Sequence, residues 1–291
     1  FDTAPLYGHG LAEQRTGRAL RGEPRDSFLL SSKVGRLLER CAPGDEGSGI
    51  YHGVPPLKVR FDYSRDGVMR SYEESLKRLG MSRIDILYVH DIDAMTHGSR
   101  DAAEARTRDL IDQGGWRALD ELRSRGDVTA IGAGVNEWEP CALLLELADP
   151  DIFLLAGRYT LLEQEALAVL LPACSARGVG VVIGGPFNSG VLATGARPGA
   201  MYNYAPAPET ILARAAAIEA ICARYGVPLA QAALQFPLGH PAVVSVIPGG
   251  QSRVEVEQNG ALLHAPIPHR LWGDLKRAGL MSLDAPEPTE A

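Results

Sequence analysis

Strand-like and helix-like segments alternate along this 291-residue chain at a short, regular pitch, and that alternation narrows the choice of fold more than any other feature. Apolar runs of strand length end at Lys33 and His90 and recur over residues 128–135, 152–156, 180–183 and 242–247. Between them the apolar spacing turns helical, over residues 11–20, 65–79, 116–125, 138–148, 164–177, 208–225 and 229–236. In the second of these, Val68, Tyr72, Leu76 and Leu79 share one face and Gly80 supplies the stop. Strands joined through a helix run parallel, and a parallel sheet needs helices on its faces. The count suits an α/β (β/α)8 TIM barrel formed as a single domain over residues 1–291, since such barrels run to about 250 residues. Phe1-Asp2 reads as the tail of a strand that begins before the sequence does. The barrel expected here therefore lacks its first strand and helix, on the order of three dozen residues.

The chemistry sits where those strands end. Asp2 and Tyr7 fall in Phe1-Asp2-Thr3-Ala4-Pro5-Leu6-Tyr7-Gly8, Lys33 closes Phe28-Leu29-Leu30-Ser31-Ser32-Lys33, and His90 closes Ile84-Asp85-Ile86-Leu87-Tyr88-Val89-His90. In a parallel barrel, side chains at the carboxyl ends of successive strands meet at one mouth. A tyrosine hydroxyl, with a free pKa of about 10, exchanges protons poorly at neutral pH. A neighbouring ammonium favours the phenolate, a carboxylate keeps the ammonium charged, and an imidazole orients the substrate oxygen. Each residue also has an ordinary structural role open to it. Asp2 and Lys33 make a plausible ion pair, Tyr7 a loop anchor and His90 a core histidine. It is the set of four that points to proton transfer at a carbonyl or alcohol oxygen.

Bulk properties exclude several classes. A net charge of −7 and the lack of any Lys/Arg run argue against nucleic acid and anionic membranes as partners. No apolar stretch approaches a bilayer span, and no signal peptide is visible, so a cytoplasmic location is expected. Cys41, Cys141, Cys174 and Cys222 are scattered without a Cys-x-x-Cys pair, which predicts free thiols. His90, Asp91, Asp93 and His97 lack a recognised ligand spacing, so no metal is expected. No Gly-x-Ser-x-Gly marks a serine hydrolase, and no Gly-x-Gly-x-x-Gly marks a doubly wound dinucleotide fold. Residues 34–63 read as a long loop with little periodicity, suited to a substrate lid, with a disordered insertion as the other choice. Residues 284–291 read as a flexible acidic tail.

The quartet Asp2, Tyr7, Lys33 and His90, in this order and inside Asp-x-Ala-x-x-Tyr-Gly and two strand ends, resembles the catalytic tetrad of the aldo-keto reductases. That resemblance runs over nearly the whole chain and implies a nicotinamide cofactor held on barrel loops. Asn136, in Gly134-Val135-Asn136, is similar to the family's nicotinamide-carboxamide ligand, although a helix N-cap suits it nearly as well. Phe187, Asn188, Ser189 and Gly190 resemble the loop that wraps the pyrophosphate with backbone amides. Gly184 stands where the family often carries an aromatic, and Phe187 is its partial substitute. Gly249, Gly250, Gln251, Glu255, Gln258 and Asn259 match the adenosine clamp, with Gln258 in place of its Glu. Members that prefer NADPH carry basic residues where this chain has Gly249, Gln251 and Glu255. A carboxylate at Glu255 repels a 2′-phosphate, so NAD is favoured over NADP, with Arg253 as the residue that opposes this.

Phe187-Asn188-Ser189-Gly190, Tyr202-Asn203-Tyr204-Ala205-Pro206, Gly134-Val135-Asn136-Glu137-Trp138 and Val89-His90-Asp91 resemble one branch of the family. It comprises D-threo-aldose 1-dehydrogenases, L-fucose dehydrogenases among them, and the similar pyridoxal 4-dehydrogenases. The resemblance implies oxidation of the anomeric hydroxyl of an aldose such as L-fucose or D-arabinose to the lactone, with a small-molecule sugar or aldehyde as the substrate. Three alternatives remain: pyridoxal oxidation, NADPH-dependent carbonyl reduction with the same tetrad, and a non-catalytic binding module like the potassium-channel β subunits.

Overall fold

A computed structural model describes residues 1–47 and 50–288. It divides into two compact units, residues 1–135 with 139–153, and residues 136–138 with 154–291. In the first unit, strands Ser31–Val34, Ile86–His90 and Ala130–Val135 lie side by side in that order and run parallel. Lys33 pairs with Tyr88 and His90 with Gly134 in register. All four residues of Ser31–Val34 are buried, as expected of a strand covered on both faces. Asp2 bridges Ser31 in the parallel sense, so the opening residues do behave as strand. Helices Leu11–Leu20 and Arg65–Leu79 occupy the expected positions. Ser64 Oγ caps the second by accepting from Gly67 N, and Gly80, at φ 63°, ends it with its N–H on the Leu76 carbonyl. The two helices pack so closely that a Cβ on Gly17 would sit 1.8 Å from the Leu79 carbonyl oxygen.

Residues 34–63 are not an aperiodic loop. Arg36–Arg40 and Leu57–Phe61 form an antiparallel ribbon in which Arg36 pairs with Phe61 and Arg40 with Leu57. The signal was present in Leu57-Lys58-Val59-Arg60-Phe61, whose apolar and charged residues alternate with the period of a strand. The partner strand Arg36–Arg40 is too polar to stand out until its own Leu37 and Leu38 are seen to be buried. Ser48 and Gly49, within the predicted loop, lie outside the described residues. The helix Arg100–Asp112 was missed because its charge hides a narrow buried stripe of Ala103, Thr107 and Leu110.

In the second unit, which takes residues 154–156 of the strand Ile152–Ala156, strands Gly180–Gly184 and Val243–Ile247 are paired parallel. The helix expected over residues 164–177 is broken. A 3-10 turn, Glu165–Leu167, precedes the helix Leu170–Arg177, with Val169 at φ −129° between them. Pro172 explains the break: it has no N–H for the Ala168 carbonyl and its ring would clash there, so it is tolerated only in a helix's first turn. Two helices unassigned from sequence, Arg253–His264 and Arg270–Arg277, complete the unit, and the latter buries Leu271, Trp272 and Leu275. Residues 284–288 are docked and not frayed. Ala285 is buried, and Glu287 pairs with Lys276 Nζ at 3.0 Å and His269 Nε2 at 2.8 Å. The carboxylate read as a sign of disorder is paired with the Lys276 ammonium. The rest of the predicted tail, residues 289–291, lies outside the described residues. All four cysteines are free thiols.

Candidate active site

The first unit gathers all four residues singled out from the sequence. Lys33 is the next-to-last residue of the strand Ser31–Val34 and is 2% exposed. Its ammonium donates to Asp2 Oδ2 at 2.6 Å and to the Thr3 carbonyl at 3.0 Å, and lies 4.7 Å from the Tyr7 ring centroid. Asp2 is fixed from its other oxygen, where Ser31 Oγ donates at 2.6 Å. Tyr7 meets His90 edge to face, with ring centroids 5.7 Å apart. The turn after Tyr7 passes through left-handed backbone at Gly8, His9 and Gly10, and His9 Nδ1 bonds the Leu57 carbonyl at 2.6 Å. That bond pins the ribbon to the segment carrying the phenol.

Burial decides the protonation states. It pushes the Tyr7 phenol up, and the Lys33 ammonium pulls it down without overcoming burial and the added repulsion from Asp2. The lowered tyrosine pKa expected from sequence is thus half right: the lysine acts in the predicted direction, but the phenol stays raised because a buried anion loses hydration. Burial by itself depresses Lys33, yet the Tyr7 phenolate, whenever it forms, and the Asp2 carboxylate outweigh it and raise the lysine above its ordinary value. His90 is driven well below the usual imidazole range by burial, then by the positive charges of Lys33 and Arg36, so it is neutral. At rest the cluster holds a protonated phenol, a charged ammonium and a neutral imidazole.

Sequence reasoning passed over the second ring of residues. Arg36 Nη2 donates to Asp91 Oδ2 at 2.5 Å, and the same oxygen lies 3.2 Å from His90 Nε2. Tyr63 donates its hydroxyl proton to the His90 carbonyl at 3.0 Å and meets His97 Nε2 at 3.2 Å. Asp91 and His97, weighed from sequence only as metal ligands, are tied to protein groups. Among the described residues no three His, Cys, Asp or Glu side chains gather as a metal site. No local pattern marks Arg36 or Tyr63, because only the ribbon carries them to His90.

The residues matched to a dinucleotide site lie in the second unit. Asn136 is half-buried, directly after the strand Ala130–Val135. Phe187 is half-buried, and Ser189 is exposed with its Oγ accepting from Tyr204 N at 3.1 Å. Asn188 is turned inward. Its side chain is 3% exposed, its Nδ2 donates to the Gly157 carbonyl at 3.0 Å, and its Oδ1 accepts from Thr160 Oγ1 at 2.6 Å. Its backbone N–H goes to Gly185, as that of Gly190 goes to Phe187. Asn188 therefore shapes the turn from within, and the turn offers fewer open amides than the resemblance implied. Gly249 and Gly250 are exposed, and a Cβ at Gly249 would meet nothing within 4 Å. They lead into the exposed first turn of Arg253–His264, where Ser252 Oγ accepts from Glu255 N at 3.2 Å. Glu255 returns its carboxylate to Gln251 N at 2.7 Å, a helix-capping exchange. Asn259 reaches back to the Gly249 carbonyl at 3.4 Å, Gln258 is exposed, and Arg253 pairs with Glu257 at 2.7 Å. Exposed glycines before a helix N-terminus, with a carboxylate in its first turn, fit the phosphate and ribose of a dinucleotide.

Comparison with known proteins bears on these features. The model of the family described as "Aldo/keto reductase family" matches residues 1–279. The chain is 44% identical to pyridoxal 4-dehydrogenase of Microbacterium luteolum, covering 97% of this chain and 84% of that protein. It is 38% identical to D-threo-aldose 1-dehydrogenase of a Pseudomonas species, with the same coverage of 97% and 84%. Among solved structures, an aldo-keto reductase from Bacillus halodurans in its holo form superposes with a TM-score of 0.71 at 25% identity, over 100% of this chain and 82% of that one.

Proposed function

Because the chain belongs to the aldo/keto reductase family, we propose that it is a nicotinamide-dependent dehydrogenase that oxidises the anomeric hydroxyl of a ring hemiacetal, in an aldose such as L-fucose or D-arabinose, to the lactone, with Tyr7 as the acid/base. The observation that carries this reading is the buried Lys33 ammonium, bonded to Asp2 at 2.6 Å and set against the Tyr7 ring, with His90 packed on the same ring. No ordinary surface ion pair requires a phenol and a neutral imidazole around a buried lysine.

The roles follow from the resting charges. For oxidation Tyr7 acts as the phenolate: its proton passes to bulk water before the substrate binds, and the Lys33 charge stabilises the anion left behind. Asp2, held by Ser31, keeps Lys33 in place and protonated. The phenolate then takes the hydroxyl proton of the substrate, while the neutral imidazole of His90 supplies an N–H to the same oxygen. When bound, the nicotinamide supplies the hydride acceptor. Asn136, Phe187, Ser189, Gly190, Gly249, Gly250, Gln251, Glu255, Gln258 and Asn259 are the residues assigned to hold it. NAD is the preferred form: Glu255 and Glu257 oppose a 2′-phosphate, and the neighbouring Arg253 guanidinium is paired with Glu257.

Pyridoxal is the second substrate reading, favoured because the more similar of the two dehydrogenases above carries that name. It too closes to a hemiacetal ring, so the chemistry at Tyr7 is unchanged. Two measurements test the proposal. Tyr7→Phe is expected to abolish turnover and leave NAD affinity nearly intact, and retained turnover refutes the role of Tyr7. A screen of the full-length protein with NAD against L-fucose, D-arabinose, L-galactose, pyridoxal and a plain aldehyde separates the substrates. Activity on the plain aldehyde alone refutes hemiacetal oxidation.

A further inference from the structure

The His90 imidazole has neighbours that the proton-transfer scheme leaves unused. Its Nε2 lies 3.2 Å from Asp91 Oδ2, and Arg36 Nη2 donates to that same oxygen at 2.5 Å. Its Nδ1 is buried and, among the described residues, meets no hydrogen-bond partner. Asp91 holds a backbone φ of 50°, left-handed geometry that a non-glycine residue adopts at a cost and that tends to collect at functional sites. The strain is held by Asp91 N donating to the Gly134 carbonyl at 2.9 Å. Arg36 is itself fixed, with its guanidinium 4.9 Å from the Phe61 ring centroid. Tyr63, bonded to the His90 carbonyl, clamps the backbone from which the imidazole projects.

A neutral imidazole has one N–H and one lone pair. Placed against a carboxylate, a lone pair on Nε2 is repelled and an N–H is attracted, while Nδ1 has no neighbour to bid for the proton. We propose that Asp91, anchored by Arg36, is a positioning residue that sets the tautomer of His90, keeping its single proton on Nε2. The inference rests on His90 and Tyr7 being the pair that handles the reacting oxygen. An oxygen arriving at Nε2 then meets a donor already in place, and no proton has to be relocated on the ring before the reaction.

Asp91 is faced by Arg36 from the ribbon, Lys33 from the first strand, Asp93 from the following loop, and Tyr7, Tyr63 and His90. Burial pushes its carboxyl up to about 6, with Asp93 adding to the rise and Arg36 and Lys33 opposing it. Below that pH the acceptor is protonated and its hold on Nε2–H lapses.

The test is nitrogen-15 NMR of histidine-labelled full-length protein, with the His90 signals identified by their loss in His90→Gln. At neutral pH the unsubstituted protein is expected to show a protonated Nε2 and a bare Nδ1. Asp91→Ala should give a tautomer mixture and lower kcat/KM about ten- to hundredfold, the usual cost of losing an orienting partner. Arg36→Lys, which restores a cation beside Asp91, should keep the tautomer. The acid limb of kcat/KM near pH 6 should vanish in Asp91→Asn. A proton on Nδ1 in the unsubstituted protein overturns the proposal without any variant. So does an Asp91→Ala protein with the original tautomer and full kcat/KM. The spectrum is read without substrate, so it succeeds or fails separately from the Tyr7→Phe result.

Discussion

Glu13 offers the sharpest test of how the first unit holds its catalytic strand. It lies in the first turn of Leu11–Leu20 with no exposed surface. One oxygen accepts from Ser32 Oγ at 2.7 Å and the other from Arg78 Nε at 2.5 Å. A single carboxylate thus ties its own helix to the residue before Lys33 and to the helix Arg65–Leu79. Glu13→Ala strands the Arg78 guanidinium, and breaking a buried ion pair by removing one partner costs about 3–5 kcal/mol. The lower end applies, because the Arg78 side chain is 15% exposed and keeps Glu74 at 3.8 Å. Loss of the Ser32 bond adds about 1 kcal/mol, for a total of about 4 kcal/mol. At about 2–4 °C per kcal/mol for a chain of this size, melting should fall by roughly 10 °C. Urea titration followed by circular dichroism measures the free energy directly. Glu13→Gln, which keeps an acceptor for Ser32, should lose about half as much. The double variant Glu13→Leu with Arg78→Met should return to within about 1 kcal/mol of the original protein, since a well-packed apolar pair replaces a buried ion pair at little cost. A loss below about 1 kcal/mol in Glu13→Ala would refute the account, because the carboxylate would then contribute nothing net.

Three further outcomes are expected. Since burial holds the Tyr7 proton, oxidative kcat/KM should climb with pH as the phenol ionises, and reductive kcat/KM should fall over the same range; parallel profiles in the two directions contradict the assignment of Tyr7. Glu255→Ala removes a carboxylate from the proposed ribose site and should shift the NADP-to-NAD affinity ratio by about tenfold toward NADP, read by fluorescence quenching with each reduced cofactor. Gly17→Ala drives a methyl into the Leu79 carbonyl and should destabilise by about 1–3 kcal/mol in the same urea titration, whereas Gly22→Ala, which meets nothing, should cost far less.

The candidate site was legible to the extent that its residues close recognisable strands. Asp2, Tyr7, Lys33 and His90 could be named because each follows an apolar run or a tight turn, and their type implied their chemistry. Asn188 was placed from sequence in a loop that offers backbone amides to the pyrophosphate. Its side-chain bonds to Gly157 and Thr160, some 30 residues away in sequence, appear only in the fold. The direction of the Tyr7 shift was misjudged on similar grounds: the charges near the phenol are visible in sequence order, but the loss of water around it is not.

Periodicity is a local property, so the chain's own pattern was enough to establish parallel strands with helices between them, the caps at Ser64 and Gly80, and the strand-end placement of the reactive residues. Partners distant in sequence were decided by folding alone. The ribbon that brings Arg36 to Asp91, the docking of Glu287 on Lys276 and the burial that governs Tyr7 depend on which surfaces meet. A spacing rule reports what one residue's neighbours can do along the backbone; hydration and charge pairing are set by distances across the fold, which no stretch of sequence contains.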